Sequence, residues 1–510
     1  MLEDSNTDYL NRWHKVSPVS LVHFFISRGL KLARELIINA SPAFVGIVVA
    51  VDDRSFWLGI SAAFIVSLIL LDVIVMYITY RYRIEDEQIT IKHGLFTVEE
   101  LNLKYARIQN INNSLPWYFK PFNLLKCTFD SAGSTDKEAE VPGITKQRAK
   151  QIADAINSYQ AEHVMQTAEA VDNDPESAAA DATEAGILKL SNLEVTKYGL
   201  TNGMIFLFSG AFFPVAEKLI ERSGIDITEV LTEYASLLPM NQTLAMVLLV
   251  ITAALLFATF LLSITAIGAF LKFYNFELHD EQQKLKRISG LLERETIYLN
   301  KSKVQGVSIK QNILAKILNR VTVVFQQVRQ DAGNDVKSSA FIIPMLKPDD
   351  WQSQLKLIYP ELAETTFNFS AVNRHYLLKQ ILYGVLAPVT ILVGLIVMLT
   401  DWRLVVVGLI ALPMILIAYV RYKKYGYMIL RDFIIIREGL VGTNFHILHR
   451  FKTQHMVEIT SPTQRRHGLA SMKIQMAFNK LKLPYVPLGL AREVINQNLF
   501  LAETSHQHWM

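Results

Sequence analysis

Residues 93–123 read HGLFTVEELNLKYARIQNINNSLPWYFKPFN, and the residue spacing in this stretch occurs twice more along the chain. Gly94, Gly290 and Gly439 each precede a leucine, and a glutamine follows each of these glycines by 15 residues. Further positions repeat as a leucine, two cations and a turn-forming residue, in the order Leu103/Leu299/Leu448, Arg107/Lys303/Lys452, Lys120/Lys316/Arg465 and Asn123/Asn319/Gly468. The copies align over this stretch without a gap, so the chain contains a threefold internal repeat.

Each repeat has the residue pattern of a small antiparallel barrel. Apolar residues alternate in residues 88–92, 322–325 and 433–437, which is typical of strands. The repeated glycine marks a tight turn between strands, and the Asn/Asn/Gly position tolerates a left-handed backbone and marks a second fixed turn. A proline and then a helical pattern follow, best seen in residues 145–156 and 490–499. The predicted unit is a short β-barrel closed by a C-terminal helix.

Apolar residues outside these stretches lie in blocks. Hydrophobic residues make up 51% of the chain and charged residues 19%. A helix needs about 20 residues to cross the bilayer core, and six runs meet this requirement closely, namely residues 36–51, 56–80, 198–216, 244–271, 381–399 and 404–420. One such block also fits a buried helix of a soluble protein, but six blocks in pairs favour a membrane protein. The fold class is α+β, with six transmembrane helices in three hairpins, each followed by a cytoplasmic barrel with a C-terminal helix.

Lysine and arginine lie on one side of these hairpins. They precede the first span, follow the second, and recur beside the other spans, at Arg28, Lys31, Arg34, Arg81, Arg83, Lys197, Lys272, Lys379, Arg421 and Lys423. Because cytoplasmic loops carry the positive charge, both termini and all three polar segments are predicted to be cytoplasmic in a multi-pass protein of the bacterial inner membrane. Residues 1–35 lack an apolar core followed by a cleavage site, so no removable signal peptide is predicted.

The domain boundaries follow from the repeat and the apolar runs. Residues 166–186 contain six acids and no lysine or arginine, which is typical of a flexible acidic tether or a solvated spacer. The predicted order is an N-terminal segment 1–35, hairpin 36–80, barrel 81–160, linker 161–186, hairpin 187–271 with a periplasmic loop 217–243, barrel 272–360, hairpin 361–420, barrel 421–500 and tail 501–510.

The Gly-Leu turns, the cation-x-Gln positions and the Asn/Asn/Gly turn resemble the second type of bacterial pleckstrin-homology-like (PH-like) domain, found in YdbT-like multi-pass membrane proteins. The resemblance covers nearly the whole chain in three copies. It implies a two-helix hairpin before each helix-capped barrel, and a function in the cell envelope such as protection of the membrane. The second copy departs from the pattern by two extra residues between Phe276 and Gly290.

Basic residues of the barrels are the candidate sites for lipids or partners. Eukaryotic relatives of the fold bind phosphoinositides through a basic first loop, but the equivalent residues 85–87 of the first repeat are acidic. Only the second repeat is basic there, at Lys284, Lys286 and Arg287. The repeated cations are Arg107, Lys303, Lys452, Lys120, Lys316 and Arg465. They either contact anionic headgroups, at about 1 kcal/mol each, or are solvated residues that protect strand edges.

Two other positions have a functional and a structural interpretation. Trp117 belongs to the aromatic segment 115–125, which either enters the membrane interface, receives a partner, or packs against the barrel. Asp72 lies inside the second predicted span, where an ionisable residue either serves ion or proton movement or pairs with a neighbouring helix. Gly199 and Gly203, four residues apart, allow close helix contact.

Signals for catalysis are weak. The chain has no phosphate loop, dinucleotide fingerprint or nucleophile elbow, and its single cysteine, Cys127, fits a small core residue. No catalytic residue, metal site or cofactor is therefore predicted, and a net charge of +4 does not indicate nucleic acid. We expect a non-enzymatic membrane-proximal scaffold whose partners are the bilayer, anionic headgroups or membrane proteins. The alternative is a transporter or lipid-handling protein with Asp72 in its helix bundle.

Overall fold

The computed structural model describes most of the chain, with gaps. This part comprises residues 12–39, 54–94, 98–131, 139–168, 185–201, 226–238, 240–281, 283–327, 340–362, 365–399, 402–476 and 479–504. The first and third predicted spans and residues 169–184 of the predicted linker lie largely or wholly outside it.

The chain forms two compact units that divide the second repeat. The first unit contains Met1–Leu188, Glu277–Asn300 and Gln330–Val336. The second contains Lys189–Phe276, Lys301–Arg329 and Lys337–Met510. The first strands of repeat 2 therefore belong to the same unit as repeat 1, and its last strands belong to the same unit as repeat 3.

The first unit contains a four-stranded antiparallel sheet in the order β1-β2-β3-β4 and a seven-stranded sheet in the order β7-β6-β5-β11-β10-β9-β8. The first sheet consists of β1 (His14–Lys15), β2 (Arg81–Ile84), β3 (Gln88–His93) and β4 (Glu99–Lys104). The second consists of β5 (Ile108–Pro116), β6 (Leu124–Ser131), β7 (Ala139–Thr145), β8 (Ala185–Lys189), β9 (Glu277–Glu281), β10 (Lys284–Ser289) and β11 (Glu293–Asn300).

Repeat 1 has one apolar core between these sheets and its C-terminal helix. Tyr82 and Ile89 from the first sheet, Phe129 and Val141 from the second, and Ile152 from the helix are almost fully buried in one cluster. Complete burial of such a side chain contributes about 1.5–3 kcal/mol. The helix is α3 (Lys146–Ala168), so the predicted helical pattern is confirmed and continues into the predicted linker.

The second unit repeats this plan. A seven-stranded sheet has the order β14-β13-β12-β18-β17-β16-β15, and a three-stranded sheet has the order β19-β20-β21. The strands are β12 (Val304–Lys310), β13 (Val321–Gln327), β14 (Phe341–Leu346), β15 (Ser370–Ala371), β16 (Gly426–Ile429), β17 (Phe433–Glu438), β18 (Asn444–His449), β19 (His455–Ile459), β20 (Leu469–Gln475) and β21 (Lys480–Pro487). The C-terminal helix of repeat 3 packs Ala491 and Val494 into a core with Met472 and Leu483.

Helices connect and flank these sheets. In the first unit these are α1 (Ser20–Asn39) and α2 (Arg54–Thr79); in the second they are α4 (Asn192–Thr201), α5 (Ile227–Ser236), α6 (Gln242–Phe273), α7 (Ile313–Ile317), α8 (Trp351–Lys356), α9 (His375–Lys379), α10 (Ala387–Leu399), α11 (Ala411–Lys424), α12 (Pro462–Arg466) and α13 (Leu488–Thr504). Within the described residues, three helices are long and apolar enough to cross a membrane, at Gln242–Phe273, His375–Leu399 and Val406–Lys424, and Val66–Thr79 is a shorter apolar helix.

A π-helical stretch, Gln380–Leu386, precedes Pro388 because proline has no N–H and its ring displaces the carbonyl one turn earlier.

The turns predicted from the repeat are confirmed by the backbone. Asn123, Asn319 and Gly468 have φ of 52°, 51° and 62°, the left-handed conformation that asparagine and glycine tolerate best. Gly94, Gly290 and Gly439 also have positive φ. A Cβ on Gly290 would lie 2.0 Å from the carbonyl oxygen of Glu293, so this turn requires glycine.

Each hairpin region follows a strand that pairs with the sheet after the hairpin. His14 pairs with Tyr82, β8 pairs with β9, and Ser370 pairs with Tyr427. The strand β1 falls within the predicted N-terminal segment, and β15 falls within the third predicted hairpin. The strand β8 lies at the predicted boundary between the linker and the second hairpin. In each repeat the segment predicted to form a hairpin therefore follows the first strand of the β-domain, whereas the sequence predicts that this segment precedes the whole domain.

Candidate functional site

Neighbouring repeats are joined edge to edge at two junctions. At the first junction β5 of repeat 1 pairs with β11 of repeat 2, and at the second β12 of repeat 2 pairs with β18 of repeat 3. Both junctions are antiparallel and each lies within one compact unit. The sequence predicts separate barrels, so the shared sheets are an unexpected feature.

The two junctions have the same register. Asn113 pairs with Thr296 at the first, and Ile309 pairs with Phe445 at the second. Asn113 and Ile309 both lie 19 residues after the turn glycine of their repeat, and their partners both lie 6 residues after theirs. The fourth strand of one repeat is thus a recurring partner for the fifth strand of the repeat before it.

Two predicted lipid-binding lysines contact carbonyl groups of the adjoining repeat. The Nζ atom of Lys120 donates to the carbonyl of Leu291 at 2.8 Å. The Nζ atom of Lys452 donates to the carbonyls of Ser302 and, at 2.8 Å, Val304. These hydrogen bonds give both lysines a structural role at the junctions, and their lipid-binding role stays a prediction.

Burial at the second junction lowers the pKa of Lys452 from 10.5 to about 8. Between these values the unfolded chain binds more protons than the folded chain, so we expect the free energy of unfolding to increase with pH from about 8 to 10.5. Lys452→Met should reduce this increase, whereas Lys473→Met on the exposed side of β20 should retain it in full. Denaturant unfolding in detergent across this pH range tests the prediction, and an unchanged slope in Lys452→Met contradicts it.

Acidic side chains neutralise part of the positive charge of the predicted basic loop of repeat 2. Lys286 lies 3.0 Å from Glu281, and the buried Arg287 lies 3.8 Å from Glu295. Lys284 is half-buried at the start of the same strand. Since these pairs neutralise much of its charge, the loop is a weaker anion site than its sequence indicates.

A second feature common to the repeats is the turn at residues 116–123, 312–319 and 461–468, which we call the hairpin-side turns. In repeat 1, Nδ1 of His23 on α1 lies 2.8 Å from the hydroxyl of Tyr118. In the other two repeats the contacts are made by Asn312, which donates to the carbonyl of Thr201 on α4, and by His467, whose ring stacks 4.0 Å from that of His375 on α9. Each turn therefore lies against the first helix of the hairpin region in its own repeat.

Ion pairing strengthens this contact in repeat 2. Arg320, directly after the turn, donates from Nε and Nη2 to the two carboxylate oxygens of Glu194 on α4, at 2.8 and 2.9 Å. These charge-assisted hydrogen bonds lower the pKa of Glu194 to about 2. The hairpin-side turn of this repeat is thereby fixed to the helix that enters the second hairpin.

The solvent side of these turns carries membrane-compatible side chains. Trp117 and Phe122 are 57% and 58% exposed, whereas Phe119 between them is buried. The aromatic segment therefore has one buried phenylalanine, Phe119, and exposed aromatic side chains on either side of it. The turn of repeat 2 exposes Ile313 and Ile317, and that of repeat 3 exposes Arg465 and Arg466. Lys120, Lys316 and Arg465, one set of predicted cations, all lie on these turns.

The structure also places three further predicted residues, Arg107, Lys303 and Asp72. Arg107 and Lys303 lie in the short 3₁₀ turns Tyr105–Arg107 and Lys301–Lys303, after the fourth strands of repeats 1 and 2. Asp72 on α2 lies 3.5 Å from Nε of Arg28 on α1, and about half of its side chain is exposed. This contact is the interhelical pairing that the structural interpretation of Asp72 predicts.

Sequence reasoning missed a cavity in repeat 1. It has a volume of about 520 Å³ at the start of α3, and its lining includes Lys15, Tyr82, Thr145, Arg148 and Gln151, with two cations and no acid. Lys15 belongs to β1, before the hairpin, so only the fold brings it near Arg148. The chemistry of the lining suits an anionic group.

The single cysteine lies in the core of repeat 1. Cys127 is fully buried, and burial raises the pKa of its thiol to about 12. Among the described residues, no group of three or more His, Cys, Asp or Glu side chains is arranged to hold a metal ion.

Apolar helices and repeated helix-capped β-domains define a membrane protein with PH-like domains. The family described as "Bacterial PH domain" matches residues 35–160, 230–361 and 381–499, which is more than half of the chain. The chain belongs to this family, and the resemblance inferred from the turn residues is confirmed. It is 22% identical over 384 residues to the UPF0699 transmembrane protein YdbT of Bacillus subtilis (strain 168), covering 75% of this chain and 76% of that protein.

Proposed function

We propose that the protein is a non-enzymatic scaffold of the inner membrane, whose PH-like repeats lie at the cytoplasmic face and bind lipid or protein partners in envelope maintenance. The observation that carries this proposal is the position of the hairpin-side turns. Each turn contacts the first helix of its hairpin region and exposes apolar or cationic side chains (Trp117, Phe122, Ile313, Ile317 and Arg465). Such residues suit the interface between headgroups and water.

The contacts of repeat 1 support a lipid role most directly. Phe25 and Val22, on the helix that contacts the turn, are also exposed, at 44% and 41%. Trp117 and Phe122 on the turn are exposed apolar side chains of the same repeat. The cavity lined by Lys15 and Arg148 adds a positive site in the same repeat.

A photoreactive residue tests the proposal in the intact protein in its membrane. Placed at position 117, it should form lipid adducts on illumination. Placed at position 86, an exposed residue at the far end of β2 from the membrane helix, it should form few. Equal lipid labelling at both positions, or none at 117, contradicts membrane contact by this turn.

Asp72 distinguishes the scaffold from a transporter. Its ion pair with Arg28 supports a role in holding α1 to α2. Asp72→Asn should therefore leave membrane protection unchanged when the protein is folded, measured as survival of a deletion strain under detergent stress after complementation. Loss of protection by Asp72→Asn, with normal folding and abundance, would favour the transporter.

A further inference from the structure

Among the described residues, two strand edges of the repeats pair with one strand each. The fourth strand of repeat 1, β4, pairs there with β3 alone. The fifth strand of repeat 3, β19, pairs there with β20 alone. These two strands are the counterparts of the strands that pair at both junctions.

The register of the junctions specifies how these two edges would meet. Glu100 lies 6 residues after Gly94, and Glu458 lies 19 residues after Gly439, which are the positions that pair at both junctions. The same antiparallel register opposes Asn102 to Met456 and Leu103 to His455. The strand β4 has six residues and β19 has five.

The side chains of the two edges are compatible with a buried strand pair. On β19, Met456, Val457 and Ile459 are only partly covered, and Ile459 is 36% exposed. On β4, Leu101 is half-buried. An open edge with apolar residues is a template for another strand.

One pair in this register carries like charges, Glu100 and Glu458. Each carboxylate has its own cation within the same chain. Glu458 lies 3.1 Å from Arg492, and Glu100 lies 3.9 Å from Lys92. The pairs reduce the repulsion, and the remaining repulsion makes the contact weaker than an internal junction.

We propose that β19 of one molecule pairs with β4 of a second copy in the register of the internal junctions, so that molecules assemble head to tail in the membrane. The contact uses different surfaces on the two partners and therefore continues into a ring or a row. The inference goes beyond the scaffold function and does not rest on it, because it concerns the strand edges and not the hairpin-side turns.

Disulfide formation between two differently tagged full-length chains tests this contact in isolated membranes. In a Cys127→Ser background, one chain carries Asn102→Cys and the other carries Met456→Cys. Directly opposed residues have Cα atoms about 4.5–5.5 Å apart, within the range that a disulfide bridges. A control pair, Asn102→Cys with Glu458→Cys, is displaced by two residues along the strand, about 7 Å, and lies beyond that range.

We expect at least about fivefold more mixed dimer from the in-register pair than from the displaced pair. Glu100→Gln should raise the yield further, because it removes one of the opposed charges. A single chain with both cysteines should give a ladder of oligomers. Equal yields from both pairs, no mixed dimer, or only a cross-link within one chain overturns the proposal. Failure here leaves lipid labelling at position 117 unaffected, so the two proposals fail separately.

Discussion

Gly199→Val is expected to destabilise the second unit by about 3 kcal/mol, because it forces two helix backbones apart. A Cβ on Gly199 would lie 2.4 Å from the carbonyl oxygen of Thr265 and 2.5 Å from Cα of Ala266 on α6. These are backbone atoms, so a side-chain rotation does not relieve the contact. Thermal unfolding in detergent, followed by size-exclusion chromatography, should show an earlier loss of the folded monomer.

Gly268→Val is the matched control for this substitution. Gly268 lies on α6, and a Cβ there meets no atom within 4 Å in the described part of the chain. The two variants make the same chemical change in a helix, so they differ only in the contact. An equal loss of stability in both would attribute the effect to valine in a helix and contradict the close-contact explanation.

Arg450→Ala is expected to destabilise repeat 3 by about 3–5 kcal/mol, since it leaves buried acceptors without a donor. Arg450 is 2% exposed and donates to the carbonyls of Arg431 at 2.9 Å and Leu430 at 3.3 Å. It also donates to the carbonyl of Val494 and the side chain of Gln497 on the C-terminal helix. Denaturant unfolding in detergent measures the loss.

Repeat 1 supplies the rescue experiment for this arginine. Tyr105 occupies the position equivalent to Arg450 and donates to the carbonyl of Glu85 at 2.7 Å, the residue equivalent to Leu430. Arg450→Tyr should therefore recover part of the stability. The exposed Arg465→Ala should change stability by less than about 0.5 kcal/mol. A loss in Arg465→Ala as large as in Arg450→Ala would contradict a role specific to the buried site.

Tyr105 and Arg450 occupy equivalent positions, but the sequence repeat does not predict the hydrogen-bonding role that they share. The two residues perform the same task with different chemistry, so an alignment by residue type does not connect them. By contrast, Asn123, Asn319 and Gly468 were predictable because a left-handed backbone restricts residue choice locally. Local backbone requirements leave a clear sequence signal, and long-range hydrogen bonds leave a weak one.

The candidate site was predicted in part. The repeated spacing gives Lys120, Lys316 and Arg465 equivalent positions, and all three lie exposed on the hairpin-side turns, as does Trp117. Their binding of lipid or a partner stays a prediction. Lys452 was grouped with them by type, although the second junction buries it and lowers its pKa to about 8. Burial depends on which strand lies beside the lysine, and spacing within one repeat carries no information on that neighbour.

The sequence by itself determined the threefold repeat, the positions of its turns, the capping helices of repeats 1 and 3, and the membrane character of the chain. These properties depend on local backbone preference and on apolar periodicity, both of which can be recognised in short segments of the sequence. Only the tertiary structure decided that β5 pairs with β11 and β12 with β18, and that β1, β8 and β15 pair with strands that follow the predicted hairpin segments. Strand pairing of this kind uses backbone N–H and C=O groups, which are the same at the edges of every repeat. The pairing partner is therefore determined by which strand lies nearby in the folded protein.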